Sequence, residues 1–294
     1  MLNPSTFESL FRQAVHAVDS GDGNRLQQML HENPELATEP LRSPGKWLMD
    51  QIGNALKTYF KDPYLLWFVS EDAVRNNTLP GNIATIAQII IDKAKEQHAE
   101  SLQRQLDYGI KLVAWSWVAR ESGVQIGLLD VFINSGASTF KVSEDALVNG
   151  NFAAAEYLVQ RGATLSLSTA LCIGKWEEAD VLAANANDDE KQLGLVLCSL
   201  NGKAEAVKRL IRYGVHVSEP SRDLYSHATP LHHATGSGSL ETVKLLVEAG
   251  AKLDIRDTVH EGTPFDWAEY LKKKDIAVYL REQVGKHEQQ TKVN

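Results

Sequence analysis

Along the second half of the chain one arrangement of small, apolar and polar positions keeps returning. Ala146, Ala170, Cys198, Ala234 and Ala268 form a column of small side chains. Further on, Ala155, Ala179, Val207, Val243 and Ala277 form a second column, and Leu158, Leu182, Leu210, Leu246 and Leu280 a third. The second and third columns are three residues apart, so they share one face of a helix. The small residue of the first column lets its own helix sit close against a neighbour. Gly162, Gly214 and Gly250 follow the leucine by four residues, where a helix ends in a left-handed residue that Gly adopts without steric cost. Each repeat therefore predicts helix, turn, helix, stop, and five repeats align at successive offsets of 24, 28, 36 and 34 residues.

Upstream the pattern continues more loosely. A sixth repeat pairs Ile110–Arg120 with Val124–Phe140, placing Phe132 in the leucine column and Gly136 after it. At the amino terminus Phe7, Leu10, Phe11, Ala14 and Val15 recur at helical spacing. The turn Gly21-Asp22-Gly23 then leads to a second helix with Leu26, Met29 and Leu30 and a stop at Asn33-Pro34. Between 45 and 107 the spacing predicts helices over Trp47–Phe60, Tyr64–Asn76 and Ile83–Asp107, the last long and broken, with Pro63 and Pro80-Gly81 as punctuation. The expected organisation is an N-terminal helical pair (1–37), irregular helical repeats (38–107), a repeat stack (108–284) and a flexible tail (285–294). The fold class is all-α, helix-dominated and elongated, with little or no sheet.

The repeat at Thr229-Pro230-Leu231-His232-His233-Ala234, with Gly238, Val243-Lys244-Leu245-Leu246 and Gly250-Ala251, resembles the ankyrin repeat almost position for position. Thr229 can cap the first helix, and Pro230 occupies the first turn, where its missing N–H costs nothing. In the next repeat Phe265-Asp266-Trp267 replaces Leu-His-x after Thr263-Pro264, and the earlier repeats keep only the spacing. The family's usual period is about 33 residues, so the short spacings leave little room for a β-turn finger. The widest spacing carries an enlarged connection, Val217–His227.

The resemblance implies an ankyrin-like solenoid of stacked helix-turn-helix repeats with few or short β-turn fingers. It implies that His232 ties the loop of one repeat to the next. It also implies recognition by finger tips and first helices on the concave side. The partner-binding candidates are then Arg222, Asp223 and Tyr225 on the enlarged connection, Arg256, Asp257 and His260 on the following one, and His233 facing the groove or solvent. Tyr and Arg are frequent interface anchors because they join apolar area to directional hydrogen bonds. The opening turn and the Asn33-Pro34-Glu35-Leu36-Ala37 stop resemble the first repeats of many bacterial ankyrin proteins.

Charge and composition narrow the function. Thirty Lys and Arg stand against 38 Asp and Glu for a formal net charge of −8, which repels phosphate polymers and anionic lipid on average. Neither nucleic acid nor a membrane is an expected partner. The apolar run Ile83–Ile91 is far shorter than the roughly 20 residues of a membrane span, and the first residues lack a secretory pattern. Two cysteines, Cys172 and Cys198, make neither a disulfide framework nor a four-ligand zinc site, so a reducing cytoplasm is the expected compartment.

No catalytic constellation survives inspection. Gly236-Ser237-Gly238-Ser239 sits at an interhelical turn rather than a nucleophile elbow, and no phosphate loop is present. The His227, His232, His233 and His260 group reads better as structural and surface residues than as a metal site. Asp19–Asn24 lacks the order of a calcium loop. Trp115 and Trp117 would point to nearly opposite sides of one helix. The expectation is a non-enzymatic protein–protein interaction module without cofactor or metal. Two alternatives stay open: a ligand-binding or enzyme site in the aromatic 45–107 segment, which holds Trp47, Tyr59, Tyr64, Trp67 and Phe68, and a subunit that self-associates through that segment.

Overall fold

The computed structural model describes residues 3–291, and among these every regular element is helical. The chain divides into two compact units, residues 1–164 and 165–294. The first contains α1 (Pro4–Ser20), α2 (Gly23–Glu32), α3 (Glu35–Thr38), α4 (Lys46–Lys57), α5 (Ile83–Glu96), α6 (Leu102–Trp115), α7 (Trp117–Glu121), α8 (Gln125–Asn134), α9 (Val142–Leu147) and α10 (Phe152–Gln160). The second contains α11 (Leu167–Cys172), α12 (Trp176–Asn185), α13 (Asp188–Leu200), α14 (Ala204–Arg212), α15 (Pro230–Ser237), α16 (Leu240–Glu248), α17 (Pro264–Tyr270) and α18 (Lys274–Thr291). No described helix is long and apolar enough to cross a membrane.

The three columns hold this architecture together. Ala146, Ala170, Cys198, Ala234 and Ala268 are all fully buried. In the second unit this lets the first helices α11, α13, α15 and α17 pack in sequence, with α14, α16 and α18 packing behind them. Ala155, Ala179, Val207, Val243 and Ala277 are buried, as are Leu158, Leu210, Leu246 and Leu280. Leu182 is the exception: α12 buries Ala179 and Ala183 instead, leaving Leu182 half-buried and Val181 exposed.

Both helix ends of a repeat use one geometry. Gly162, Gly214 and Gly250 are left-handed, at φ +93°, +81° and +89°. The N–H groups of Ala163 and Ala251 each donate to the carbonyl of the column leucine, at 2.9 Å. The first helices end the same way at Gly150, Gly174, Gly202 and Gly238, and at Lys272 in the final repeat. Asn151, Lys175, Lys203 and Lys273 donate to the carbonyl of the small residue at 2.8–2.9 Å. The small column thus has a second role, accepting the bond that closes its helix.

The irregular stretch departs from expectation. Tyr64–Asn76 is not an α-helix: a 3-10 turn spans Leu65–Ser70, and Glu71, Ala73 and Asn77 take positive φ. A buried ionic cluster explains the departure. Arg75 donates to Asp19 at 2.7 and 2.8 Å and to Glu71 at 2.8 Å, while its own main-chain N–H donates to Glu71. Glu71 is 1% exposed, and folding the segment around its carboxylate satisfies a charge that helical geometry would strand.

Ile83–Asp107 is broken as expected, between α5 and α6. Ile110–Arg120 is broken too, because Ser116 ends α6 and its Oγ accepts from Ala119 N–H at 2.9 Å to start α7. α18 continues through Thr291, so 285–291 of the expected tail are helical, and 292–294 lie outside the described residues.

Candidate interaction surface

In the second unit the two longest connections, 213–229 and 249–263, lie side by side. Thr258 N–H donates to the His227 carbonyl and Lys252 N–H to Ser218 Oγ, both at 2.9 Å. His232, fully buried in the first turn of α15, joins them from below. Its Nδ1 lies 3.2 Å from Thr229 N–H and 2.8 Å from Thr229 Oγ1, and its Nε2 lies 3.0 Å from the Gly262 carbonyl. A main-chain N–H on Nδ1 leaves the ring proton on Nε2, which donates to Gly262. This is the tie between successive repeats implied by the resemblance. Asp266 stands at the matching position of the next repeat and caps its own helix, accepting from Thr263 N–H and Oγ1 at 2.8 Å.

Asp257 organises the second loop from within. It is 2% exposed, and its carboxylate accepts from the N–H groups of Val259 (2.9 Å), His260 (2.7 Å) and Gly262 (3.0 Å) and from Trp267 Nε1 (2.9 Å). Burial opposes its charge, yet these donors hold its pKa well below the ordinary carboxylate value. The expectation that Asp257 faces a partner is therefore corrected: four donors consume its acceptor capacity inside the loop.

His233 is corrected likewise. It is 3% exposed, its Nε2 is buried without a hydrogen-bond partner, and its ring is surrounded by Tyr225, His227 and Trp267. Burial first, then the neighbouring His227 and His232, lower its pKa to about 4. Tyr225 is half-buried against His233 with a left-handed backbone (φ +53°), so only part of it is available at the surface. Arg222, Asp223, Arg256 and His260 are exposed. Arg256 reaches the Glu261 carbonyl and lies 3.7 Å from Asp266.

Around these residues lies a patch that the sequence reading missed. A cleft of about 460 Å³ is lined by His260, Gly262, Asp266, Trp267, Tyr270 and Leu271. Tyr270 is 85% exposed, Val259 62% and Leu271 41%. The available signal was a comparison of columns: Tyr270, Leu271 and Lys272 stand where the preceding repeat has Gly236, Ser237 and Gly238.

Elsewhere the sequence candidates resolve simply. Cys172 and Cys198 are buried free thiols with sulfurs 3.5 Å apart, and burial raises the Cys198 pKa well above its ordinary value. No group of three or more His, Cys, Asp or Glu among the described residues is placed to hold a metal. In the first unit Tyr64, Trp67 and Phe68 are core residues, 6%, 3% and 1% exposed, and Trp47 donates to Glu8. Tyr59 alone of that aromatic group is substantially exposed. It lines a cleft of about 580 Å³ with Trp67, Tyr108, Arg104 and Lys111 among its walls.

Comparison with known proteins agrees with this architecture. A family model for ankyrin repeats in three copies matches residues 143–257 and 195–291, together half of the chain. Human cyclin-dependent kinase inhibitor 2A is 38% identical over 85 residues, 29% of this chain and 52% of the relative. Human cyclin-dependent kinase 4 inhibitor B is 36% identical over 85 residues, 29% of this chain and 59% of the relative. The chain spans about half the length of the curated relatives it matches. With its helix-turn-helix repeats, their glycine stops and the histidine tie all in place, the chain belongs to the ankyrin-repeat family.

Proposed function

We propose that the chain is a non-enzymatic protein–protein interaction module that binds its partner through the loop tips and first helices of its last repeats, the concave side of an ankyrin-type stack. The observation that carries this reading is the solvent-facing group of His260, Tyr270 and Leu271 around one cleft, with Val259 exposed beside His260 in the chain. Exposed aromatic and aliphatic side chains grouped in this way mark interaction sites, whereas scattered ones do not. Arg222, Asp223 and Tyr225 on the enlarged connection and Arg256 on the next belong to the proposed surface, with Arg222 and Tyr225 as anchors; Arg222 itself lines a separate cleft with Asn187, Asp188 and Gln192. Two buried, unpaired thiols favour a reducing cytoplasm, and a bacterial source rests on residues 21–37 alone. The named relatives inhibit cyclin-dependent kinases, which makes a protein kinase the first partner class to try.

A photo-crosslinking amino acid placed in turn at Tyr270, Arg222 and Val181 tests this reading. Val181 is 66% exposed on α12. In the native cell, adducts at 270 and 222 but not at 181 are expected. Adducts at 181 alone would overturn the assignment of the surface.

A further inference from the structure

The chain holds two cysteines in 294 residues, and folding brings them together. Cys172 ends α11 and Cys198 lies in α13, the first helices of consecutive repeats, and their sulfurs are 3.5 Å apart. Both are free thiols, 3% and 0% exposed. Packing asks only for a small residue at Cys198, because the same column holds alanine in the other four repeats. A sulfur stands where a methyl group would serve, and it meets the chain's one other sulfhydryl. A disulfide bond is about 2.05 Å long, so small side-chain rotations would join the pair.

Burial shields both thiols, and burial followed by the adjacent Cys172 thiol raises the Cys198 pKa well above its ordinary value. Reaction therefore waits on local opening, and α12, which packs against α11, is the element held least firmly. It buries only Ala179 and Ala183, whereas α14 buries Ala206, Val207 and Leu210, and α16 buries Thr242, Val243 and Leu246. Its ties to α14 lie at the surface. Asp180 accepts from Arg209 at 3.2 Å and from Tyr213, and the Arg209 guanidinium lies over the Trp176 ring. Exposed ion pairs contribute little, and segments with few buried apolar contacts open first.

We propose that Cys172 and Cys198 form a redox modification site, at which a peroxide converts the two thiols to an intrachain disulfide that fastens α11 to α13, with the opening of α12 as the gate. The Cys172 sulfur attacks one peroxide oxygen, the O–O bond breaks, and a sulfenic acid and water form. The Cys198 sulfur then displaces the hydroxyl group, making the S–S bond and a second water that carries away the last thiol proton. Two thiols lose two electrons and two protons, and the peroxide is reduced to two waters. Cys172 reacts first because it ends its helix beside α12, while Cys198 sits deeper with its thiol proton held.

The test exposes the reduced full chain to hydrogen peroxide. The intact mass is expected to fall by two hydrogen atoms, and non-reducing digestion with mass spectrometry to show one Cys172–Cys198 cross-link. The melting temperature should rise, and dithiothreitol should reverse both changes. Cys198→Ala, the residue the other repeats carry, is expected to leave Cys172 as a sulfenic acid that dimedone traps. Cys172→Ala should leave Cys198 unmodified. Asp180→Ala removes the surface ties of α12 and is expected to speed cross-linking at least threefold. Glu269→Ala, which removes the exposed pair with Arg281 instead, should leave the rate unchanged. A cross-link that forms only in urea, one that joins two copies, an oxidised chain that melts below the reduced one, or equal rates in Asp180→Ala and the native chain would each overturn the proposal.

Discussion

His232 Nε2 lies 3.0 Å from the carbonyl oxygen of Gly262, thirty residues along the chain and one repeat further on. The same ring accepts from Thr229 through Nδ1, so a single neutral imidazole closes the start of one helix and anchors the loop that begins the next repeat. His232→Ala should cost about 2 kcal/mol, the sum of a lost cap and a buried carbonyl left without its donor. Urea melts of the second unit's transition measure this, and a loss below half a kilocalorie would show that water replaces the ring.

His233 predicts a pH dependence. Its folded pKa of about 4 lies below the ordinary value near 6.5, so the fold excludes a proton that the unfolded chain accepts. The stabilising contribution is complete above about pH 6.5 and falls as the pH drops toward 4, by roughly 3 kcal/mol in total. Asp72 and Asp145, both raised to about 6 by burial, run the other way, favouring the fold as the pH falls through that window. The measurement is therefore the difference between wild type and His233→Gln across pH 4 to 7, and a flat difference would contradict the burial of the ring.

Asp257 acts in a lower window. Its depressed pKa means that its contribution is present above about pH 4 and lost only as the pH falls below that value. Asp257→Ala leaves four N–H donors without their acceptor and should cost roughly 2 kcal/mol or more. Amide exchange at Val259, His260 and Gly262 should accelerate together, since one carboxylate protects all three.

Arg75 tests the first unit. Arg75→Ala strands the Glu71 carboxylate, whose side chain has no solvent exposure, and should cost about 3–5 kcal/mol in a urea melt followed by tryptophan fluorescence. The double variant Arg75→Met with Glu71→Met removes both charges and should recover much of that loss. A double variant as unstable as the single one would mean that packing, not charge, holds the segment.

Gly250→Ala isolates backbone conformation from space. At φ +89° no atom lies within 4 Å of the place an added methyl group would take, so the expected loss of about 1 kcal/mol is conformational. Gly238→Ala, at +81°, should cost about as much, because the Lys273 Nζ found 3.0 Å away is a flexible end that can move. The two glycines share one backbone requirement, so different losses would show that the surroundings matter more.

The repeats were legible in the chain because their cause is local. Helical spacing of Ala155 and Leu158, a small residue such as Ala146, and a glycine four residues beyond the leucine specify a two-helix unit without reference to distant residues. Thr229-Pro230 was legible for the same reason, since a helix cap is a matter of neighbouring residues, whereas the tie made by His232 was implied only by the resemblance to the ankyrin repeat.

The tertiary structure decided what depends on surroundings. Nothing in the spelling of Asp257 or His233 distinguishes a surface group from an interior one. Trp267 Nε1 and the loop amides turn Asp257 inward, and Tyr225, His227 and Trp267 enclose His233. Asp19 and Arg75 meet across 56 residues, and that meeting, rather than the apolar spacing of 64–76, set the backbone there. The packing of α17 against α15 and α18 leaves Tyr270 and Leu271 facing solvent. Burial is a property of what the rest of the chain brings near, and local spacing carries no record of it.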